Sequence, residues 1–358
     1  MKKILISTGG SGGHVIPALT IYEHLKDDHK VFLSSDSRGL KFINKKDLSL
    51  IKIEMPKLDL NIFKLPVSII IIFFSFVKSF IFLRKEKIST IISTGGYMSL
   101  PICINAILLK KKLFLFEPNM VLGRLNKIFL GRCENIFCYS EEIKNYPIEY
   151  IKKKLVINPI LRKDFYENSI FNETPLASSI TILIIGGSQG AKIFEKILNN
   201  SIKEISKNYN LFIYHQVSKK NAPEIESFYK INNINFKLFN FDENLLEYIK
   251  ASNFCITRSG AITLSELVHS NIPFLTIPFP YAKDNHQLYN AKYYEKKGCC
   301  WLLEQDKINE QILTNQLLNI FKNLDEYKSK KNNMSKLSRE NTWSLINRKI
   351  LSTLKYEN

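Results

Sequence analysis

The sequence predicts an α/β protein of two similar doubly wound domains, and three observations carry the prediction. Short β-branched runs alternate with longer amphipathic segments along most of the chain, as in sheets of parallel strands joined by crossover helices. At 358 residues the chain exceeds what one hydrophobic core usually covers. A strand running into a glycine turn occurs twice, as ILIS into TGGSGGH and as ILII into GGSQGA, residues 186–191. That repetition points to two Rossmann-like domains with a ligand at the C-terminal ends of their strands.

In chain order, the first-half strands are expected at 3–7, 30–34, 50–54, 90–93, 112–116, 135–139 and 154–157. Those of the second half are expected at 180–185, 210–215, 236–239, 254–257, 274–277 and 300–303. Helical periodicity fills most gaps between them. It lapses over 158–179, where Asn, Ser, Pro and Glu dominate, so that segment is the expected linker. The division expected is 1–161 for the first domain and 162–340 for the second, with a helix over 341–358 packing back on the first.

The segment 65–83, LPVSIIIIFFSFVKSFIFL, interrupts this soluble pattern with nineteen residues and Lys78 as the single charge. Its length and hydropathy suit a membrane span. Its place between strands of one domain argues instead for a core helix, or for a helix lying on a bilayer. The basic flanks Lys57, Lys64, Arg84, Lys85 and Lys87 favour the last reading, since each would meet anionic headgroups.

A net charge of +18 permits nucleic acid or an anionic membrane as partner. Basic residues form no aromatic-interleaved stripe, so nucleic acid is not expected, and Lys, Ile and Asn are abundant throughout. MKKILIS lacks a secretory core, and the six cysteines form no CxxC pair. Reduced, buried thiols in a cytoplasmic protein are the expectation.

The glycine loop at 9–13 matches neither a dinucleotide fingerprint nor a Walker loop. A glycine turn that enters a helix nevertheless brings backbone N–H groups to the positive end of a helix dipole, where phosphate binds. His14 follows that loop directly, placed as a base or hydrogen-bond donor beside an anion. STGGYMSLP (93–101) is a second glycine turn and carries Tyr97. FEPN (116–119) puts Glu117 and Asn119 just after a strand. In the second half, TRSGAITLSE (257–266) enters a helix with Glu266 one turn in, where a carboxylate suits ribose hydroxyls. KDNHQLYNA (283–291) adds Gln287 and Asn290. Taken singly each is a cap or a turn; together, all at strand ends, they form a candidate site.

GGSGGHVIPA, TGGYMSLP, FEPN, NPILR, GGSQGA, RSGAITLSE and DNHQLYNA, in this order and spacing, resemble the MurG family. The likeness runs from about Lys3 to Leu302. It implies the GT-B fold, two Rossmann-like domains facing a central cleft. It also implies transfer of N-acetylglucosamine from UDP-N-acetylglucosamine to undecaprenyl-pyrophosphoryl-N-acetylmuramyl pentapeptide, in peptidoglycan synthesis at the cytoplasmic face of the membrane. By the resemblance, the donor would be held by Arg162, Ser188, Gln189, Asp242, the turn Ser259, Gly260, Ala261, Ile262, Thr263, Leu264, Ser265 and Glu266, and by Gln287 and Asn290. Glu266 would take the ribose, the backbone near Phe241 and Asp242 the uracil, and Ser188 the diphosphate. Ser11, Gly12, Gly13 and Asn119 would reach the donor sugar, while Gly9, Gly10, Gly95, Gly96 and Tyr97 would cradle the acceptor's pyrophosphate.

The acceptor 4-hydroxyl would attack the anomeric carbon with inversion. His14 is the first candidate for the base and Glu117 the second. No Asp-x-Asp occurs, so neither a metal nor another cofactor is expected; backbone amides and a helix dipole would stabilise the leaving UDP. Two departures stand out. Pro118 occupies the place of the family's Gln and removes an N–H and an amide. The Asn158–Arg162 turn is one residue longer than the family's. The competing readings are a UDP-N-acetylglucosamine 2-epimerase-like isomerase of the same fold, and a binding protein that has lost catalysis.

Overall fold

A computed structural model describes residues 1–43, 48–56, 65–167, 176, 179–186, 193–195, 197–240 and 245–355. The chain divides into two compact units, Met1–Lys163 with Thr342–Asn358, and Asp164–Asn341.

The first unit holds a seven-stranded sheet in the order β3-β2-β1-β4-β5-β6-β7. Its strands are β1 Lys3–Ser7, β2 Lys30–Ser35, β3 Leu50–Lys52, β4 Thr90–Ser93, β5 Lys112–Glu117, β6 Ile136–Cys138 and β7 Lys154–Val156. All pair in parallel. Parallel strands are covered on both faces, so consecutive rather than alternate residues are apolar. Ile4, Leu5 and Ile6 are all buried, as are Leu113, Phe114, Leu115 and Phe116. The helix Trp343–Lys355 belongs to this unit. Trp343 stacks on His24 with ring centroids 3.6 Å apart, and Lys2 Nζ donates to the Leu354 carbonyl.

The second unit holds a six-stranded parallel sheet in the order β10-β9-β8-β11-β12-β13. The strands are β8 Ser179–Ile185, β9 Asn210–Gln216, β10 Asn235–Phe239, β11 Phe254–Thr257, β12 Phe274–Thr276 and β13 Cys300–Leu302. Each strand expected from the sequence is present, with ends shifted by at most two residues. The expected linker differs in part: Lys163–Glu167 is a short helix.

Both sheets reverse their strand order once, between β1 and β4 and between β8 and β11. At such a switch point the loops leave in opposite directions and open a crevice beyond the strand C-termini, where ligands bind in doubly wound folds.

The apolar segment forms helix α2, Leu65–Lys85, following helix α1, Gly12–Leu25. Helix α2 has a mean hydropathy of 2.3 over its most apolar window, of which 11% is buried, so the core-helix reading is overturned. Its inward side combines serines with apolar contacts at its C-terminal end. Ser75, Ser79 and Leu83 are its buried residues, and Ser75 Oγ bonds the Glu54 carbonyl. Asn105, on helix α3 (Leu100–Leu108), donates to the Phe76 carbonyl at 2.8 Å and to Ser79 Oγ at 2.7 Å. Small serines allow close approach, while Val67, Ile69, Ile70, Phe73, Phe74 and Ile81 stay exposed. Of the basic flanks, Arg84, Lys85 and Lys87 are exposed, and Lys57 and Lys64 lie outside the described residues.

Candidate functional site

In the first unit the switch point is lined by the loop after β1. Gly9 and Gly10 adopt φ of +151° and +81°, and α1 begins at Gly12 behind the N-cap Ser11. The first N–H groups of any helix have no partner within it and point out of its N-terminus. Gly12 and Gly13 therefore offer donors at the positive end of α1, beyond the β1–β4 edge.

His14, half-buried on the first turn of α1, donates from Nδ1 to the Thr94 carbonyl at 2.7 Å. A carbonyl only accepts, so Nδ1 carries the hydrogen, and in the neutral ring Nε2 carries the lone pair. Thr94 Oγ1 returns a hydrogen bond to the His14 carbonyl at 3.0 Å. Gly95 and Gly96, at φ +88° and +76°, lie against the imidazole. A Cβ on Gly95 would stand 3.3 Å from His14 Cε1, and one on Gly96 3.3 Å from Cδ2 and 3.5 Å from Nε2. The second glycine turn is thus shaped to the ring of the histidine carried by the first.

Two residues that sequence reasoning did not single out organise this loop. Asp36, just past β2 and buried, accepts from Gly10 N at 2.8 Å and Gly39 N at 3.0 Å through Oδ1. Its Oδ2 accepts from Arg38 Nε at 2.6 Å. Burial opposes ionisation, but these hydrogen bonds and the Arg38 charge hold the carboxyl below its ordinary pKa. Arg38 Nη2 donates to Tyr97 Oη at 2.5 Å, and the guanidinium lies 5.3 Å from the Tyr97 ring centroid. The signal available in the sequence was position alone: Asp36 and Arg38 follow a strand just as the glycine turns do.

Glu117 is also buried, at the end of β5. Its Oε1 accepts from Asn119 N at 3.2 Å and Asn119 Nδ2 at 3.0 Å. Its Oε2 accepts from Gly123 N at 2.7 Å and Asn126 Nδ2 at 2.9 Å. Burial raises its pKa against the opposing pull of these bonds. Four donors inside the fold occupy the carboxylate, which weighs against Glu117 as the base and gives it the work of shaping the Asn119 loop. Pro118, lacking an N–H, sits between Glu117 and Asn119, which are tied together by these bonds.

In the second unit Ser259 and Gly260 follow β11, with Gly260 the N-cap of the helix Ala261–His269. Ser259 is fully buried and bonded on every side. Its N–H donates to Gln287 Oε1 at 3.2 Å, its Oγ meets Thr276 Oγ1 at 2.7 Å, and its carbonyl accepts from Asn290 Nδ2 at 3.1 Å. Gln287 Oε1 also accepts from Phe279 N at 3.0 Å, joining the loops after β11 and β12. Asp284 and Asn285, both at φ +54°, form the strained entry to the helix His286–Lys296. Glu266 is buried on the second turn of its helix.

Several residues expected at the donor site have partners inside the fold or lie in its core. Asn290 is buried beneath Ser259, and Ser265 Oγ is engaged by the Ala261 carbonyl at 2.8 Å and by Tyr294 Oη at 2.9 Å. Ile262 and Leu264 are buried among the core side chains, leaving Gly260 and Thr263 as the partly exposed members of the turn. Arg162 belongs to the first unit. Ser188, Gln189 and Asp242 lie outside the described residues. Arg258, which the sequence reading passed over, is buried between Phe194 and Phe279, with ring centroids 5.1 and 5.4 Å away. It donates to the carbonyls of Ile277 and Pro278 at 2.9 and 3.0 Å, and burial pulls its pKa down to about 10.

Two doubly wound units, each presenting a small-residue turn at its switch point, define the GT-B class. Residues 4–138 match the glycosyltransferase family 28 N-terminal domain and residues 181–344 the family 28 C-terminal domain. Over 353 residues the chain is 50% identical to the UDP-N-acetylglucosamine–N-acetylmuramyl-(pentapeptide) pyrophosphoryl-undecaprenol N-acetylglucosamine transferase of Pelagibacter ubique, covering 99% of both. It is 33% identical to the same-named transferase of Rickettsia felis, over 90% of this chain and 92% of that one. Acinetobacter baumannii MurG superposes with a TM-score of 0.76 at 20% identity, over 99% of this chain and 100% of that one. A putative UDP-N-acetylglucosamine 2-epimerase from Listeria monocytogenes reaches 0.65 at 12% identity, over 99% and 96%, a likeness of fold alone. The chain belongs to the MurG family.

Proposed function

We infer that the protein transfers N-acetylglucosamine from UDP-N-acetylglucosamine to the 4-hydroxyl of the muramyl sugar in undecaprenyl-pyrophosphoryl-N-acetylmuramyl pentapeptide, the lipid I to lipid II step of peptidoglycan synthesis. The observation that carries this reading is full-length identity of 50% to a transferase of that name. A histidine locked in one tautomer at the first switch point agrees with it.

In this mechanism the acceptor hydroxyl attacks the anomeric carbon from the face opposite UDP. The new C–O bond forms as the bond to the diphosphate breaks, and the α-linked donor becomes a β-linked product. His14 Nε2 takes the hydroxyl proton, while the Thr94 hydrogen bond at Nδ1 steadies the imidazolium that forms. The second unit holds the donor. Glu266 accepts the ribose hydroxyls, and Gln287, whose Oε1 is spent on two backbone amides, offers its Nε2 to a sugar oxygen. The loop Gly9–Gly13 and the turn Gly95–Tyr97 receive the acceptor's pyrophosphate with backbone N–H groups. Helix α2 lies on the membrane surface with its Ile and Phe side chains in the interface and Arg84, Lys85 and Lys87 at anionic headgroups.

Incubation with UDP-N-acetylglucosamine and the lipid-linked acceptor tests the reaction. Disaccharide product is expected only when both are present. N-acetylmannosamine formed from the donor alone would establish the epimerase reading instead. A His14→Ala variant with an unchanged kcat would remove His14 from the mechanism.

A further inference from the structure

The Asp36–Arg38–Tyr97 chain links the two glycine turns of the first unit. Asp36 grips the backbone of the first turn at Gly10, and Arg38 grips the second through Tyr97 Oη at 2.5 Å and Met98 Sδ at 2.8 Å. We propose that Arg38 is a positioning residue for the acceptor, setting the Tyr97 hydroxyl as a hydrogen-bond donor toward an anionic phosphate oxygen at the glycine turns. The proposal rests on the transferase reading above.

The direction of the hydrogen bonds makes the case. Arginine has five N–H donors and no acceptor, so Tyr97 Oη can only accept from it. The tyrosine proton is thereby directed away from Arg38 and is available to an oxyanion. Without Arg38, a tyrosine hydroxyl rotates freely and presents either its lone pairs or its proton. The electrostatics agree. Asp36 is a buried carboxylate whose Oδ1 stands 2.8 Å from the amide of Gly10, and alone it would repel a diphosphate on that loop. The Arg38 bond to Oδ2, 2.6 Å long, balances that charge. The Arg38 side chain is about one-third exposed (34%), so it reaches from the buried carboxylate to the solvent-facing side of the turn. Among the described residues, only Nε and Nη2 are used in protein hydrogen bonds, which leaves Nη1 for the same anion.

Lysine cannot reproduce this fork: its ammonium is a point charge that reaches Asp36 or Tyr97 but not both in the same geometry. Steady-state kinetics on Arg38→Lys, Tyr97→Phe and the double variant, varying acceptor and donor separately, tests the inference. Each single variant is expected to raise the acceptor KM by about ten- to a hundredfold, the range of one hydrogen bond to a charged group, with the donor KM within about twofold of wild type. The double variant should be no worse than the poorer single by more than about threefold, because both remove the same contact. Free inorganic pyrophosphate should compete with the acceptor in the wild type and lose potency in both variants. Acceptor KM values unchanged in Tyr97→Phe, equal rises for donor and acceptor, or effects that multiply in the double variant would overturn it. Tyr97→Phe leaves the Asp36–Arg38 pair intact, so a folding defect in Arg38→Lys does not remove the test. A wild type that makes no lipid-linked product overturns both this proposal and the reaction on which it rests.

Discussion

Replacing Gly96 with Ala separates the shape of the site from the stability of the fold. Gly96 adopts φ +76° and ψ +140°, a region open to glycine and closed to other L-residues. Holding Ala there costs about 1–3 kcal/mol, read as a lower midpoint of unfolding. The added methyl would also stand 3.3 Å from His14 Cδ2 and 3.5 Å from Nε2. That is tighter than ordinary van der Waals contact at the first atom, so the ring must give by a few tenths of an ångström. Because Nδ1 is tethered to the Thr94 carbonyl at 2.7 Å, the ring yields by swinging about that bond, and Nε2 moves most. A full ångström of misplacement costs about a hundredfold in rate, so a few tenths costs about three- to tenfold. The expected result for Gly96→Ala is therefore a fall in kcat of that size, with the donor KM near wild type. The deciding measurement is a double-variant cycle. In a His14→Ala background there is no ring to displace, so Gly96→Ala should lower stability as before and leave the residual kcat within about twofold. An equal loss of kcat in both backgrounds would refute the argument that Gly96 acts through His14.

Three further outcomes follow from the same geometry. Glu117→Gln replaces one carboxylate oxygen with a donor facing other donors, so it should destabilise the protein by about 1–3 kcal/mol without changing the pH at which activity is half-maximal; a normal melting temperature with kcat abolished would restore Glu117 as the base. Phe73→Glu with Phe74→Glu, at positions 61% and 65% exposed, should leave the melting temperature unchanged and cut cosedimentation with anionic vesicles by about tenfold or more per residue; wild-type binding should weaken as salt rises, whereas release only by detergent would favour a spanning helix. Burial lowers the His24 pKa to about 4, so the folded state resists a proton that the unfolded chain accepts near 6.5. A depressed folded pKa for a base means stability present at neutral pH is lost as pH falls from about 6.5 to about 4, by about 3 kcal/mol in all. Other buried histidines, His215 with its pKa lowered to about 3 among them, add slopes of the same sign, so denaturant titrations should show His24→Gln reducing the fall by about the His24 share; an unchanged slope would assign it elsewhere.

Most of the architecture was legible because parallel strands announce themselves. Ile4–Ile6 and Leu113–Phe116 are apolar on both faces, a pattern few other elements produce. The glycine turns were legible for a similar reason, since positive φ at Gly9, Gly10, Gly95 and Gly96 tolerates little else. What stayed hidden was which polar groups face a ligand and which hold the loops that do. Asp36 meets Gly10 only because β1 and β2 pair with Ser7 opposite Ser34, a register that brings residues 26 apart into one hydrogen bond. By the family resemblance Ser265 belongs to the donor-binding turn and Asn290 would contact the donor sugar. Their partners, Tyr294 and the Ser259 carbonyl, lie 29 and 31 residues away, and nothing local predicts them.

Helix α2 was ambiguous in composition, and its basic flanks favoured a helix lying on a bilayer. Its composition alone also allowed burial, and a soluble α/β domain would ordinarily place such a helix against its sheet. Here most of the apolar side chains are turned out, and Ser75, Ser79 and Asn105 make hydrogen-bonded contact with the rest of the unit beside the packing of Leu83 and of Phe82 on Phe32. The arrangement follows from what each surface meets. In a helix whose outer face enters lipid, apolar burial against protein gains little over burial in acyl chains, and close approach with interhelical hydrogen bonds fixes the packing instead. In water the same helix would expose Phe73, Phe74, Ile69, Ile70 and Ile81 at considerable cost. An Asn105→Leu substitution distinguishes the two settings. It removes the donor to the Phe76 carbonyl and Ser79 Oγ, and should lower stability by about 1–3 kcal/mol. If α2 rests on a bilayer, anionic vesicles should restore part of that loss, because the lipid holds the apolar face that Asn105 no longer anchors. A loss of the same size with and without vesicles would mean that α2 is held by the protein alone.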